Sequence, residues 1–302
     1  MEITTVTDLV ALLQKEQATN GAFLSWSHWG DRVYPDWNGF TTALVLRALR
    51  HIPNSNTKLS YIRKHALDFL IKCEQPEYPG TFRFWPVSRQ PDWIKQAPLA
   101  DADDTAIYAL EMARNGLFER PYLRQIICCN LIPHRLRHVD IPSPPWLRPG
   151  VFLTWLWLDK GSANIVDCCV NANVVALLAY ADMTHLPGYQ EACSMIEKAI
   201  LWAGDSWFHA RSIVPFYPHP VELRYAVEHA VECGAELLQP SLERLRECWW
   251  AADEIDGLSV MERSICGSAY SGVVWTSRVV QIVRNLNNQA NFCSLENSNS
   301  LV

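Results

Sequence analysis

The sequence predicts an all-α fold, a single α/α toroid in which an inner ring of helices is wrapped by an outer ring. Three observations predict it. Segments that are apolar nearly all round alternate with amphipathic ones, and the apolar ones recur along the whole chain. A helix that is greasy on every side must be buried on every side, whereas an amphipathic one buries a single stripe. Two concentric layers satisfy both patterns at once. The 13 glycines among 302 residues also fall below the ~7% average usage that turn-dense β-proteins exceed. A helical solenoid of the same helix pairs is the structural rival.

In chain order, the inner helices are expected to begin near Thr41, Asp103, Asn173, Arg224 and Tyr270. Thr105 to Ala113 and Val174 to Ala181 show the all-apolar pattern most clearly. Outer helices fall between them. Leu59 to Cys73, Tyr189 to Gly204 and Ser241 to Trp250 are amphipathic: in the second, Ala192, Met195, Ile196, Ala199, Ile200 and Ala203 recur at steps of three and four. A proline-rich connection spans Ile141 to Gly150. The whole of 1–302 reads as one domain, with the polar stretch Asn287 to Asn299 marking 287–302 as a flexible tail.

Charge and cysteine usage narrow the function classes. Lys plus Arg total 26 against 32 for Asp plus Glu, a net charge of −6, so nucleic acid is not an expected partner. The N-terminal run MEITTVTDLVALLQKEQ carries early acids and no basic n-region, unlike a secretory signal. Uncharged stretches such as Cys168 to Ala181 and Ser264 to Ser277 stop at 14 residues, short of the ~20 of a membrane-spanning helix. A cytoplasmic protein is expected, with contact to a membrane surface and the oligomeric state left open. The 10 cysteines then read as free thiols, most of them small buried hydrophobes.

The sharpest chemical feature is Asp101-Ala102-Asp103-Asp104-Thr105-Ala106, which opens one of the all-apolar helices. Part of it is ordinary helix-start chemistry, with Asp101 as N-cap and Asp104 at N3. Three like charges beside apolar side chains nonetheless resist ionising together, so one stays protonated at neutral pH. Such a carboxylic acid is a Brønsted acid, and helix-terminal N–H groups stabilise its conjugate base as the proton leaves. Residues 101 and 104 share a face whereas 103 is rotated away, so Asp103 is the expected proton donor, braced by Asp101 and Asp104.

D-x-D-D-T-A resembles the acid motif of class II terpene cyclases, the squalene-hopene and oxidosqualene cyclase superfamily, and Asp101, Asp103 and Asp104 match it residue by residue. The Q-x3-G-x-[WF] motifs of that superfamily have degenerate counterparts at Gln17, Gly21 and Phe23 and at Gln75, Gly80 and Phe82. Since one toroid accounts for nearly all of the chain, the likeness is to the single-domain meroterpenoid cyclases. The resemblance implies a metal-independent isomerase, with no cofactor, that protonates the terminal alkene of a linear isoprenoid. A prenylated aromatic acid such as a geranylgeranyl-dihydroxybenzoate is the implied substrate. Hopene cyclases carry an Ala-His-Val histidine against the catalytic acid; here Ala172-Asn173-Val174 puts Asn173 in its place, where its amide orients Asp103. Capping its own helix is the alternative role.

The chain has 13 tryptophans, and aromatic faces stabilise carbocations while excluding water. Phe84, Trp85, Trp155, Phe216 and Tyr217 are the favoured substrate-binding residues, with Trp37 a further candidate. Arg83, Arg89, Lys95, Arg148 and Arg211 are candidates for meeting a substrate carboxylate. No D-D-x-x-D, P-loop, H-E-x-x-H or dinucleotide fingerprint occurs, and no metal site is expected. Two other readings share the toroid. A zinc-dependent prenyltransferase would enlist Asp167, Cys168 and a distant histidine, and a non-catalytic isoprenoid carrier would bind without isomerising.

Overall fold

A computed structural model describes residues 5–52, 56–87, 89–94, 98–140, 142–156, 164–253 and 263–288. Five of its helices form one contiguous series: α2 (Gly39–Ala48), α4 (Ala102–Arg114), α6 (Cys168–Tyr180), α9 (Val221–Glu232) and the amphipathic α11 (Arg278–Asn288). All of α2 is buried, as are Ala102–Met112 of α4 and Cys168–Ala179 of α6. These helices touch in the order α11, α2, α4, α6, α9. The two ends of that series meet through Arg284 of α11, whose guanidinium donates to both carboxylate oxygens of Glu222 on α9 at 2.6 and 2.9 Å.

Amphipathic helices lie against this series. α3 (Thr57–Ile71) packs on α2, α5 (Arg120–Ile126) on α4, α7 (Tyr189–Ala203) on α6, and α10 (Gln239–Glu247) on α9. α1 (Val6–Glu16) touches α3 and α11, and the short α8 (Trp207–Ser212) follows α7. The caps follow the sequence: Asn38, Asn56, Asp101, Asp167 and Ser206 each accept from a first-turn N–H, satisfying donors with no intrahelical partner.

The all-α expectation is corrected by a four-stranded antiparallel sheet. β1 (Leu24–Trp29), β2 (Arg32–Trp37), β3 (Ser264–Gly267) and β4 (Val274–Thr276) are arranged β2-β1-β4-β3, so an N-terminal hairpin pairs with a C-terminal one. The cue is local: Ser25 and Ser27 are buried while Trp26 is exposed, a period-two alternation. Gly30, with φ of 58°, opens the two-residue turn. The inner helix expected near Tyr270 is displaced for the same reason. Tyr270 sits in the β3–β4 turn, and the helix starts at Arg278. The helix expected at Asn173 begins at Cys168, capped by Asp167.

Gln17 and Gln75 tie loops to the layers. The Gln17 amide donates to the carbonyls of Gly21 and Ile62 at 3.0 and 2.9 Å. Gly21, with φ of 98°, leaves no room for a side chain, since a Cβ would lie 2.0 Å from the His65 carbonyl oxygen. Cys73, Cys168, Cys169, Cys193 and Cys266 are buried, whereas Cys128 and Cys129 are exposed. Among the described residues no helix is long and apolar enough to cross a membrane. Ile141 and residues 289–302 of the expected tail lie outside the described residues.

Candidate active site

Asp101 anchors the start of α4 twice. Its backbone bridges the extended segments at Phe82 and Trp155, and its Oδ1 accepts the Asp104 N–H at 2.7 Å. That fixes Asp103 one residue into the helix, turned towards α6 and the loop before α9. Its Oδ1 accepts from Asn173 Nδ2 at 2.7 Å, and its Oδ2 accepts from the Tyr217 hydroxyl. Asn173 is itself oriented: its Oδ1 accepts from Arg47 Nη1 at 3.0 Å. Because a guanidinium has only donors to offer, the amide carbonyl must face Arg47 and the NH2 must face Asp103.

The three carboxyls titrate upward for different reasons. Asp104 is pushed well above the usual carboxylate value by burial and then by the charges of Asp101 and Asp103. Asp101 rises to about 8, by burial first and the Asp103 charge second. Asp103 is also raised by burial, opposed by the Tyr217 and Asn173 hydrogen bonds and by the Arg47 charge. Burial keeps the proton on, while the donors and the guanidinium stabilise the carboxylate once it has gone. Hydrogen bonds oppose burial at all three, but of the three only Asp103 has a guanidinium charge opposing it as well.

Asp101, Asp103 and Asp104 line a cavity of about 890 Å³ whose other walls are largely apolar. Phe84, Trp85, Trp155, Phe216 and Tyr217 all line it. Trp37 does not: on the outer face of β2, it is 41% exposed, because strand alternation points it away from its buried neighbour Asp36. Sequence reasoning missed Phe40 and Asp36 and did not favour Trp275 among the tryptophans; Phe40 and Trp275 add two more rings, and Asp36 holds two of the indoles. Asp36 accepts from the indole N–H groups of Trp85 and Trp275 at 2.9 and 2.7 Å. Phe84 packs between those walls, 4.6 Å from Trp85 and 4.9 Å from Trp275. Trp155 donates to the Tyr270 hydroxyl at 3.1 Å, and its ring meets Phe216 edge to face.

Arg47 was missed too, although a cation inside the otherwise apolar Phe40–Leu49 run was a visible signal. Arg83, Arg89, Arg148 and Arg211 do not line the cavity; Arg148 donates to Ser194 and Arg211 to the Tyr217 carbonyl. Lys95 lies outside the described residues. Asp167, the carboxylate a zinc site would have needed, is committed elsewhere. Its oxygens accept the N–H groups of Cys169, Val170 and Phe216 at 2.6, 3.2 and 3.0 Å. Among the described residues no three His, Cys, Asp or Glu side chains gather as a metal-ligand set.

The chain is similar to a type II terpene cyclase. The apo structure of MstE from Scytonema is 14% identical, with 94% of this chain and 97% of that chain covered at a TM-score of 0.45. A variant of MstE in complex with geranylgeranyl dihydroxybenzoate (substrate) gives 14% identity over 93% of each chain and a TM-score of 0.41. Another, in complex with merosterolic acid A (product), gives 13% identity over 94% of this chain and 95% of that chain, with a TM-score of 0.42. No family model and no curated protein matches the chain. The chemistry of this chain rests on its own side chains.

Proposed function

We propose that the protein is a protonation-initiated terpene cyclase that folds as one α/α toroid and converts a linear isoprenoid into a polycyclic isomer. The observation that carries this reading is the Asp103 carboxyl, buried to 8% exposure, lining an aromatic cavity while two neutral donors backed by a guanidinium engage its oxygens. Asp103 gives its proton to the terminal alkene carbon. The π pair becomes the new C–H bond, and the tertiary cation left behind is attacked by the next double bond. Successive attacks close the rings, and loss of a proton to a base ends the cascade, so substrate and product have the same formula. The electrophile is the proton, and no metal ion enters any step.

The negative charge left on Asp103 is met by Asn173, Tyr217 and the N-terminal end of α4. Phe40, Phe84, Trp85, Trp155, Phe216 and Trp275 line the cavity with aromatic rings, whose faces stabilise a migrating cation and whose bulk keeps water from quenching it. A cavity of about 890 Å³ is in the range of small-molecule sites, roughly 300 to 1,000 Å³, and accommodates a long prenyl chain with a ring-sized head. The resemblance to single-domain meroterpenoid cyclases points to a prenylated aromatic acid, such as a geranylgeranyl-dihydroxybenzoate, as that substrate.

The test is Asp103→Asn, which keeps the shape and one acceptor oxygen, replaces the other by an NH2 and removes the acid. Incubated with prenylated phenolic acids and free polyprenols, the native chain is expected to give a product of unchanged mass and altered chromatographic retention. The variant is expected to lose at least about 10²-fold of that rate. Undiminished cyclisation would refute the assignment.

A further inference from the structure

Behind Asn173, away from the cavity, the Arg47 guanidinium belongs to a buried group of charges. Arg47 Nε stands 3.9 Å from Glu111 Oε1, and Arg114 Nη1 stands 3.7 Å from the same oxygen. Arg114 also meets His229 Nε2 at 2.8 Å. Glu111 and His229 are 1% exposed and Arg47 8%. Burying charges of this kind is costly and contributes little net stability compared with apolar residues of the same size. Arg47 lies on α2 and Glu111 on α4, two neighbouring helices. An expensive pair at that position calls for a role other than packing.

We propose that the Arg47–Glu111 pair is the positioning device of the proton donor: Glu111 holds the guanidinium, the guanidinium fixes the Asn173 amide, and the amide holds Asp103 Oδ1. The assignment rests on Asp103 as the acid. Two consequences follow from the geometry. With Arg47 in place Asn173 can present only its NH2 to Asp103, which favours the carboxylate; without it the amide is free to flip and present its oxygen, which favours the protonated acid. The guanidinium also adds a positive charge behind the developing anion. Both effects make Asp103 a stronger acid, and neither contributes to holding substrate.

Other groups act on Asp103 and are unchanged by substitutions at 47 and 111. Asp101 and Asp104 share its helix, and Tyr217 donates from the loop before α9. Asp167 and Cys169 face it from α6 and Cys266 from β3. Burial pushes both thiols well above their ordinary value, so they stay neutral. At Asp103 itself burial raises the proton affinity, and Arg47 is the positive charge that opposes it beside the Tyr217 and Asn173 hydrogen bonds.

The experiment compares the native chain with Arg47→Gln/Glu111→Gln, which removes both charges together and keeps polar groups of similar reach. The infrared carbonyl stretch of the buried Asp103 carboxylic acid, assigned by its loss in Asp103→Asn, is titrated in each. In the paired variant its midpoint is expected to rise by about one pH unit. The kcat for cyclisation is expected to fall about three- to tenfold with KM unchanged, as for a weakened general acid. A folded paired variant with the native midpoint and native kcat overturns the proposal. Should that variant fail to fold, Arg47→Lys decides: it keeps the charge and a donor, so the midpoint is expected to stay at the native value, and a raised midpoint overturns the proposal. If the native chain cyclises nothing, the functional reading fails, yet the carbonyl titration still reports whether Arg47 sets the acidity of Asp103.

Discussion

Tyr217 shows at the level of one side chain how ring and hydroxyl divide their work. Its ring lines the cavity and lies 6.0 Å from Phe40, while its hydroxyl donates to Asp103. Tyr217→Phe keeps the wall and deletes the donor. Loss of one donor to a developing anion costs about 10²-fold in rate, so kcat is expected to fall by about that factor with KM little changed. The pH profile carries a second signature. In the proposed mechanism cyclisation needs protonated Asp103, so the rate is expected to fall as pH rises through the Asp103 pKa, which burial holds above the ordinary carboxylate value. The Tyr217 bond favours the carboxylate; deleting it raises the pKa, and the alkaline limb is expected to move to higher pH while the plateau drops. A shift to lower pH would contradict this arrangement. The sequence marked Tyr217 as aromatic, but its partner is 114 residues away, and no local pattern reports such a contact. The three aspartates were legible because their motif coincides with a helix start, where neighbours in sequence are neighbours in space.

At the scale of elements, the N-terminal end of α4 stores several buried carboxyls in one turn, and this couples folding to pH. Asp101 is held at about 8 in the folded chain, against about 3.9 for an aspartate in an unfolded one. The folded state therefore binds this proton more tightly. Its contribution is fully present below about pH 4 and is lost as the pH climbs through about 8. Asp167, raised by burial to about 7 at the cap of α6, acts in the same direction. Urea-unfolding free energies are expected to decline between about pH 5 and pH 8. The decline should be smaller in Asp101→Asn, whose amide oxygen still caps α4; an equal slope in both proteins would show that Asp101 is not the group responsible. The helices were legible from their apolar patterns because burial on every side leaves few polar positions. The sheet was not. Its strands β3 and β4 lie inside one uncharged run from Ser264 to Ser277, and an apolar run of that length reads equally as helix or hairpin. Trp37 was misplaced by the same oversight, since strand alternation at β2 turns it outward.

For the molecule as a whole, the decisive contacts are those between parts remote in sequence. The N-terminal hairpin pairs with the C-terminal one through Trp26, Ser27 and His28 of β1 and Thr276, Trp275 and Val274 of β4, and α9 meets α11 through Glu222 and Arg284. The Arg284 guanidinium also lies 4.4 Å from the centre of the Tyr225 ring. Breaking a buried ion pair from one side leaves an uncompensated charge and costs about 3–5 kcal/mol, whereas replacing both partners by apolar residues is often neutral. Arg284→Met is therefore expected to lower the unfolding free energy by about 3–5 kcal/mol, and Glu222→Leu/Arg284→Met to recover most of it. Hydrogen exchange distinguishes the two architectures that fit the helix pattern. In a closed ring every inner helix has two neighbours, so loss of this contact is expected to lower protection in α4 and α6 along with α9 and α11. In an open solenoid stability is a sum of nearest-neighbour terms, and the loss would stay with the terminal helices while α4 and α6 kept native protection.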